Sequence, residues 1–153
     1  MERGAKIMSI LFFFLFIVSC SSDYKKEYKS KEDPDNSFIV ETFDNRSKMI
    51  TSMAYRNKIT DSLYFLRVND EFYQCDRTFL KQSTVKNAQF STVKEYRIPR
   101  TLNAAHDRLI IKREGDAFVT INNMSGDGTV YLKYFYDKEY KILKIETMGV
   151  VYQ

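Results

Sequence analysis

The chain has 153 residues, and its 24 basic and 20 acidic side chains give a net charge of +4. That small excess does not indicate a nucleic-acid-binding protein. The two cysteines, Cys20 and Cys75, are too few for the disulfide framework on which many small exported domains depend.

The N-terminus has the pattern of a secretory signal. Arg3 and Lys6 form a basic start, and residues 7–18 are apolar except for one serine. As a helix this run would span about 18 Å, well short of the ~30 Å hydrocarbon core of a bilayer. A small residue, Ser19, then precedes Cys20. A basic start, a short apolar run and a small residue indicate a cleaved signal peptide rather than a transmembrane helix.

The tetrad Ile17-Val18-Ser19-Cys20 resembles the lipobox of bacterial lipoproteins. The resemblance implies cleavage before Cys20 and attachment of a diacylglyceryl group to its thiol, so that residues 1–19 are the signal peptide. Two acyl chains are enough for stable membrane attachment. Ser21 stands where some Gram-negative lipoproteins carry an aspartate that signals inner-membrane retention. We therefore expect a cell-envelope protein held in the outer membrane.

The segment after the cysteine has the composition of a tether. Residues 21–37 contain no Leu, Ile, Val, Met or Phe, and lysines alternate with acidic residues. Such a segment buries too little apolar surface to offset the entropy lost on ordering. The sequence therefore predicts a lipidated Cys20 with a disordered tether over residues 20–37, and a single domain over residues 38–153.

The domain has the pattern of antiparallel β structure. A β-branched and aromatic run covers 38–43, and three hairpins are predicted over 63–75, 108–122 and 129–147. On the last hairpin, alternation predicts that Leu132 and Tyr134 share one face, and that Leu143 and Ile145 share one. The expected fold is mainly β, a sandwich or partly open barrel with at most one or two short helices.

Two stretches are ambiguous. Met49, Ile50, Met53 and Ala54 within residues 47–58 fit a helix or a strand. Residues 101–106 follow Pro99 and could form one helical turn. Any short helix in the predicted fold is therefore expected in one of these two stretches.

No pattern in the sequence assigns catalysis. The single histidine, His106, lies beside Asp107 and Arg108 and is interpreted as a surface turn residue. Metal-ligand spacings and a nucleophile elbow are missing from the sequence. Cys75 falls inside a strand pattern and is interpreted as a buried, inert thiol. We therefore assign no catalytic residue, no metal ligand and no cofactor beyond the lipid on Cys20.

One basic stretch is a candidate contact for an anion or an acidic partner. Residues 94–113 hold six basic and two acidic side chains, a net of +4. Arginine side chains suit carboxylate and phosphate groups, although a basic strand edge also discourages unwanted strand pairing. The candidate contacts are Lys94, Arg97, Arg100 and Arg108.

These features indicate a non-catalytic binding, scaffold or accessory module attached to the membrane by its lipid. The expected partners are an envelope protein or an acidic glycan, and not nucleic acid. The alternatives are a lipid-anchored hydrolase that uses scattered carboxylates and hydroxyls, and an inhibitor or immunity-type protein.

Overall fold

The computed structural model describes residues 22–80, 87–99, 106–125 and 127–153. These ranges contain no helix, and therefore none that could span a membrane. Their strands form two antiparallel sheets of six, which confirms the predicted mainly β fold. The signal peptide, Cys20 and Arg100 lie outside the described residues, as do all but the last residue of the helical turn expected at 101–106.

Each sheet is a meander in which chain neighbours pair. The first sheet runs in the order β1 (Tyr24–Lys29), β2 (Asn36–Phe43), β3 (Lys48–Tyr55), β4 (Lys58–Val68), β5 (Glu71–Cys75) and β6 (Phe90–Ser91). The second runs in the order β12 (Val150–Tyr152), β11 (Ile142–Thr147), β10 (Tyr131–Tyr136), β9 (Ala117–Asn123), β8 (Asp107–Glu114) and β7 (Tyr96–Pro99).

Tight turns set the register of the hairpins. Both residues of the Asn69–Asp70 turn have positive φ, near 49° and 65°, as do Arg56 and Asn57 before β4. Two left-handed residues give a turn whose twist matches that of the paired strands. The predicted hairpins over 63–75, 108–122 and 129–147 are all present.

The prediction of a disordered tether is wrong for its central part. Residues 24–29 form β1, which pairs with β2 along its whole length. The side chain of Tyr28 is fully buried, and its hydroxyl donates a 2.7 Å hydrogen bond to the carbonyl of Ile142 in the other sheet. One large aromatic side chain, together with the backbone pairing, orders a segment that is otherwise charged. The folded domain therefore begins near Tyr24 rather than Phe38.

The structure decides one open alternative and corrects one expectation. The ambiguous 47–58 region is a strand and a turn, with Met49 buried and Met53 exposed. On β11 the expected shared face of Leu143 and Ile145 is broken, because the register against β10 shifts after Phe135. The bulge leaves Leu143 exposed and buries both Ile142 and Ile145.

An aromatic core joins the sheets. Thirteen buried side chains form its main cluster, and they come from both sheets. Phe90 contacts Tyr134 and Tyr136 edge-on, at ring-centroid separations of 5.2 and 5.4 Å. Several tyrosine hydroxyls also form hydrogen bonds between the two sheets. The hydroxyl of Tyr136, for example, bonds the backbone of Ser91. The core therefore combines apolar burial with directional bonds that fix how the sheets meet.

The registers define two ends of the molecule. The proximal end, where β1 begins, holds the turns 44–47, 69–70 and 137–141, and Arg46 there pairs with Glu139 at 3.1 Å. The distal end holds the turns 30–35, 56–57 and 148–149. The eight residues of β2 run between these ends over about 27 Å.

Candidate functional site

Three adjoining cavities form a groove between the sheets, here called the inter-sheet groove. Their volumes are about 310, 90 and 330 Å³. Met124 and Leu132 line all three, and Leu63 lines the first and second. Such an elongated and mainly apolar space is typical of a ligand-binding site.

The first cavity is the amide end of the groove. Above an apolar floor that includes Phe65 and Leu109 it presents one guanidinium and four carboxamides, from Arg108, Gln74, Gln89, Asn122 and Asn123. Gln89 and Asn123 donate their amide hydrogens to backbone carbonyls. Within the described ranges, the side chains of Gln74, Asn122 and Arg108 have no hydrogen-bond or ion-pair partner.

A bulge explains how Arg108 reaches the groove. Ile98 on β7 pairs with Leu109, but the next residue, Pro99, pairs with Asp107, so Arg108 is the extra residue. Proline cannot donate to the ladder, and a bulge beside it re-aims the unpaired side chain.

The third cavity is the methionine end, at the distal end of the molecule. Its rim carries the side chains of Met53, Met124, Val130 and Met148, which are 40–63% exposed. Polar groups here are already paired, since Asp33 accepts hydrogen bonds from Asn36 and Tyr152. Exposed methionines clustered on one rim are typical of surfaces that accommodate apolar partners.

The middle cavity also has satisfied polar groups. The hydroxyls of Ser52 and Ser62 bond each other at 2.8 Å, and Thr51 accepts from Tyr134 at 3.2 Å. Asp61, which is exposed, also lines this cavity, and one of its carboxylate oxygens accepts from the Ser62 N–H at 2.8 Å. The hydroxyls of the middle cavity are therefore used within the protein, and its one charged side chain is an acid, which disfavours a negative group there.

Among the described residues, the most buried carboxylate lies outside the groove. Burial acts to raise the pKa of Glu71, but hydrogen bonds from Tyr96, Ser91 and Tyr73 outweigh it, so its pKa falls below the ordinary 4.5. The Tyr96 hydroxyl lies 2.7 Å from one carboxylate oxygen and the Tyr73 hydroxyl 3.0 Å from the other. Since Tyr96 belongs to the second sheet, Glu71 links the sheets as a charged, fully bonded group.

The structure divides the basic residues predicted as contacts. Arg97 is exposed, with its guanidinium 3.5 Å from the carboxylate of Asp107. Lys94 is exposed, with its ammonium over the ring of Tyr96. Arg108 instead lines the groove, and Arg100 lies outside the described residues.

His106 and Cys75 have no features of a reactive site. His106 is exposed, and a Cβ at Gly128 would come within 3.0 Å of its ring. Cys75 is buried, and this burial raises the pKa of its thiol to about 11. Within the described ranges, no three His, Cys, Asp or Glu side chains are grouped as metal ligands.

Comparison with known proteins gives no relative for this chain. No protein-family model, no curated protein and no solved structure matches it.

Proposed function

We propose that this protein is a non-catalytic binding module of the cell envelope, anchored in the outer membrane by a lipid on Cys20. The single observation that carries the binding role is the inter-sheet groove, with its apolar length and exposed methionine rim. The motif Ile17–Cys20 supports the anchor.

The fold gives this proposal an orientation. Because β1 begins at Tyr24, at most about 14 Å of chain separates it from Cys20. A lipid on Cys20 would therefore hold the proximal end against the bilayer, where a 17-residue tether would have allowed free movement. The methionine end lies about 27 Å further out. The groove would then open away from the anchoring membrane, toward ligands that arrive from the surrounding compartment.

The binding role is tested with a neutral apolar fluorophore, N-phenyl-1-naphthylamine, on the mature chain, residues 20–153. In this experiment Cys20→Ser removes the chain's own lipid. We expect saturable binding, and we expect Met124→Asp to weaken it, because a carboxylate would stand where all three cavities meet. Leu143→Asp is the matched control, since Leu143 is 44% exposed and outside the groove. Absence of saturable binding, or equal loss in both variants, would contradict a groove-based function.

The anchor is tested separately by mass spectrometry of the protein purified from membranes. The proposal requires an N-terminal Cys20 that carries acyl groups. A free Cys20 thiol, or a mature protein recovered without membrane, would remove the anchor from the account and leave the groove unaffected.

A further inference from the structure

The polar groups of the inter-sheet groove are distributed unevenly. Those at the methionine end and the hydroxyls in the middle are paired within the protein, and the remaining charged group in the middle, Asp61, is itself an acid. The side chains of Gln74, Asn122 and Arg108, all at the amide end, have no partner within the described ranges. A ligand that matches this groove has its hydrogen-bonding atoms and its negative charge at one end only.

We propose that the groove binds a single long acyl chain with an anionic head group, a carboxylate or a phosphate monoester. The proposal rests on the binding function above and specifies its ligand. The head group lies at the amide end, where Arg108 supplies the positive charge and the two free amides supply hydrogen bonds. The tail runs past Leu132 to the methionine end.

The dimensions of the groove agree with such a tail. Its walls in the second sheet extend from β8 to β12, four inter-strand steps, or about 19 Å. An acyl chain of membrane length spans half of the ~30 Å hydrocarbon core, or about 15 Å. One such chain with its head group therefore reaches from Arg108 to the rim around Met148.

An extended peptide fits the groove less well. Each residue of a peptide brings a backbone N–H and C=O that must be paired when buried. The hydroxyls of Ser52, Ser62 and Thr51 in the middle cavity are already used within the protein. An acyl chain has no polar groups along its length, so it leaves no hydrogen-bonding group of its own unpaired there.

Displacement of the bound fluorophore from the mature Cys20→Ser chain tests the ligand class. Hexadecanoate and hexadecyl phosphate share the proposed features, hexadecanol has the tail without the charge, and hexanoate has the charge on a short tail. We expect both long anions to bind roughly tenfold or more tightly than hexadecanol, because hydrogen bonds to a charged group contribute about 1.5–3 kcal/mol. Hexanoate should displace little, since most apolar contact is lost.

Charge-neutral variants locate the head group. Arg108→Gln should remove the preference for the long anions over hexadecanol and leave hexadecanol binding unchanged. Arg113→Gln is the matched control at the other end of β8, about 17 Å away, and should keep the preference.

The proposed ligand would be overturned by equal binding of hexadecanol and the long anions to the unaltered groove, or by an undiminished preference in Arg108→Gln. Displacement by hexanoate as effective as that by hexadecanoate would also overturn it. Saturable fluorophore binding with no displacement by any long-chain ligand would overturn it too, while leaving the binding function in place. Failure of the fluorophore itself to bind would reject the binding function.

Discussion

Replacing Tyr28 by alanine should strongly destabilise the domain. Its side chain has no exposed surface, packs in the main core and donates a 2.7 Å hydrogen bond to the Ile142 carbonyl. Truncating a buried aromatic ring to alanine costs about 3–5 kcal/mol. For a domain of this size the melting temperature should fall by about 10–20 °C.

Two further variants separate what the ring, the hydrogen bond and a surface charge of β1 contribute to stability. Tyr28→Phe keeps the ring and removes the hydrogen bond, so we expect a loss of about 1 kcal/mol. Lys25→Ala removes only a surface ion pair with Glu41, which contributes about 0–1 kcal/mol. Thermal unfolding followed by circular dichroism measures all three variants against the parent chain.

This reasoning would be refuted if the Tyr28→Ala protein melted within about 2 °C of the parent chain, at the same temperature as the Lys25→Ala protein. Residues 24–29 would then contribute nothing to the core. The domain would begin near Phe38, and the proximal end would no longer be held close to the anchor.

Three other predictions concern stability and reactivity. Because the pKa of Glu71 is lower in the folded state than its ordinary value, its stabilising effect is present above pH ~4.5 and is lost as pH falls through the folded-state value. Glu71→Gln should therefore reduce the drop in melting temperature between pH 7 and pH 3.5. An unchanged drop would contradict the role of the hydrogen bonds to Glu71. Cys75, with its pKa raised to about 11, should react with a thiol reagent at pH 8 far more slowly than after unfolding in urea, so equal rates would show an accessible thiol. Leu132→Asp should destabilise the domain by several kcal/mol, because it places a carboxylate against the core. Leu143→Asp should cost less than about 1 kcal/mol, because Leu143 is exposed. If the two variants had similar unfolding midpoints in urea, these positions of Leu132 and Leu143 would be contradicted.

The hairpins were predictable because their signals are local. Asn69–Asp70 lies between two runs of strand-forming residues, and it forms the two-residue turn expected there. Alternation of apolar and polar residues gives the wrong buried face for β11, because a bulge interrupts that strand. One extra residue at Leu143 shifts the alternation along β11, and alternation alone does not reveal where a bulge falls.

The composition of β1 is that of a disordered linker, so local patterns do not indicate a strand there. Its two tyrosines, Tyr24 and Tyr28, stand four apart, which places both on one face of a strand. That spacing was the only available signal, and the lysines around it outweighed it. The burial of Tyr28 depends on Ile142, more than one hundred residues later, which no local pattern contains.

The groove could not be predicted from the sequence. Its lining comes from β2, β3, β4 and β5 of one sheet and from strands β8 to β12 of the other. By charge alone, Arg108 is indistinguishable from the other basic residues of 94–113. Its separation from Arg97 and Lys94 depends on the bulge opposite Pro99, which only the pairing of β7 with β8 reveals.

Methionine-methyl NMR tests the central claim, ligand binding in the inter-sheet groove, most directly. The mature chain has four methionines, of which Met53, Met124 and Met148 line the groove and Met49 is fully buried in the core. On titration with hexadecanoate, the three groove methyl signals should shift with one common saturation curve, while the Met49 signal stays in place. Unmoved groove methyl signals, or a shift of Met49 alone, would contradict a ligand site between the sheets.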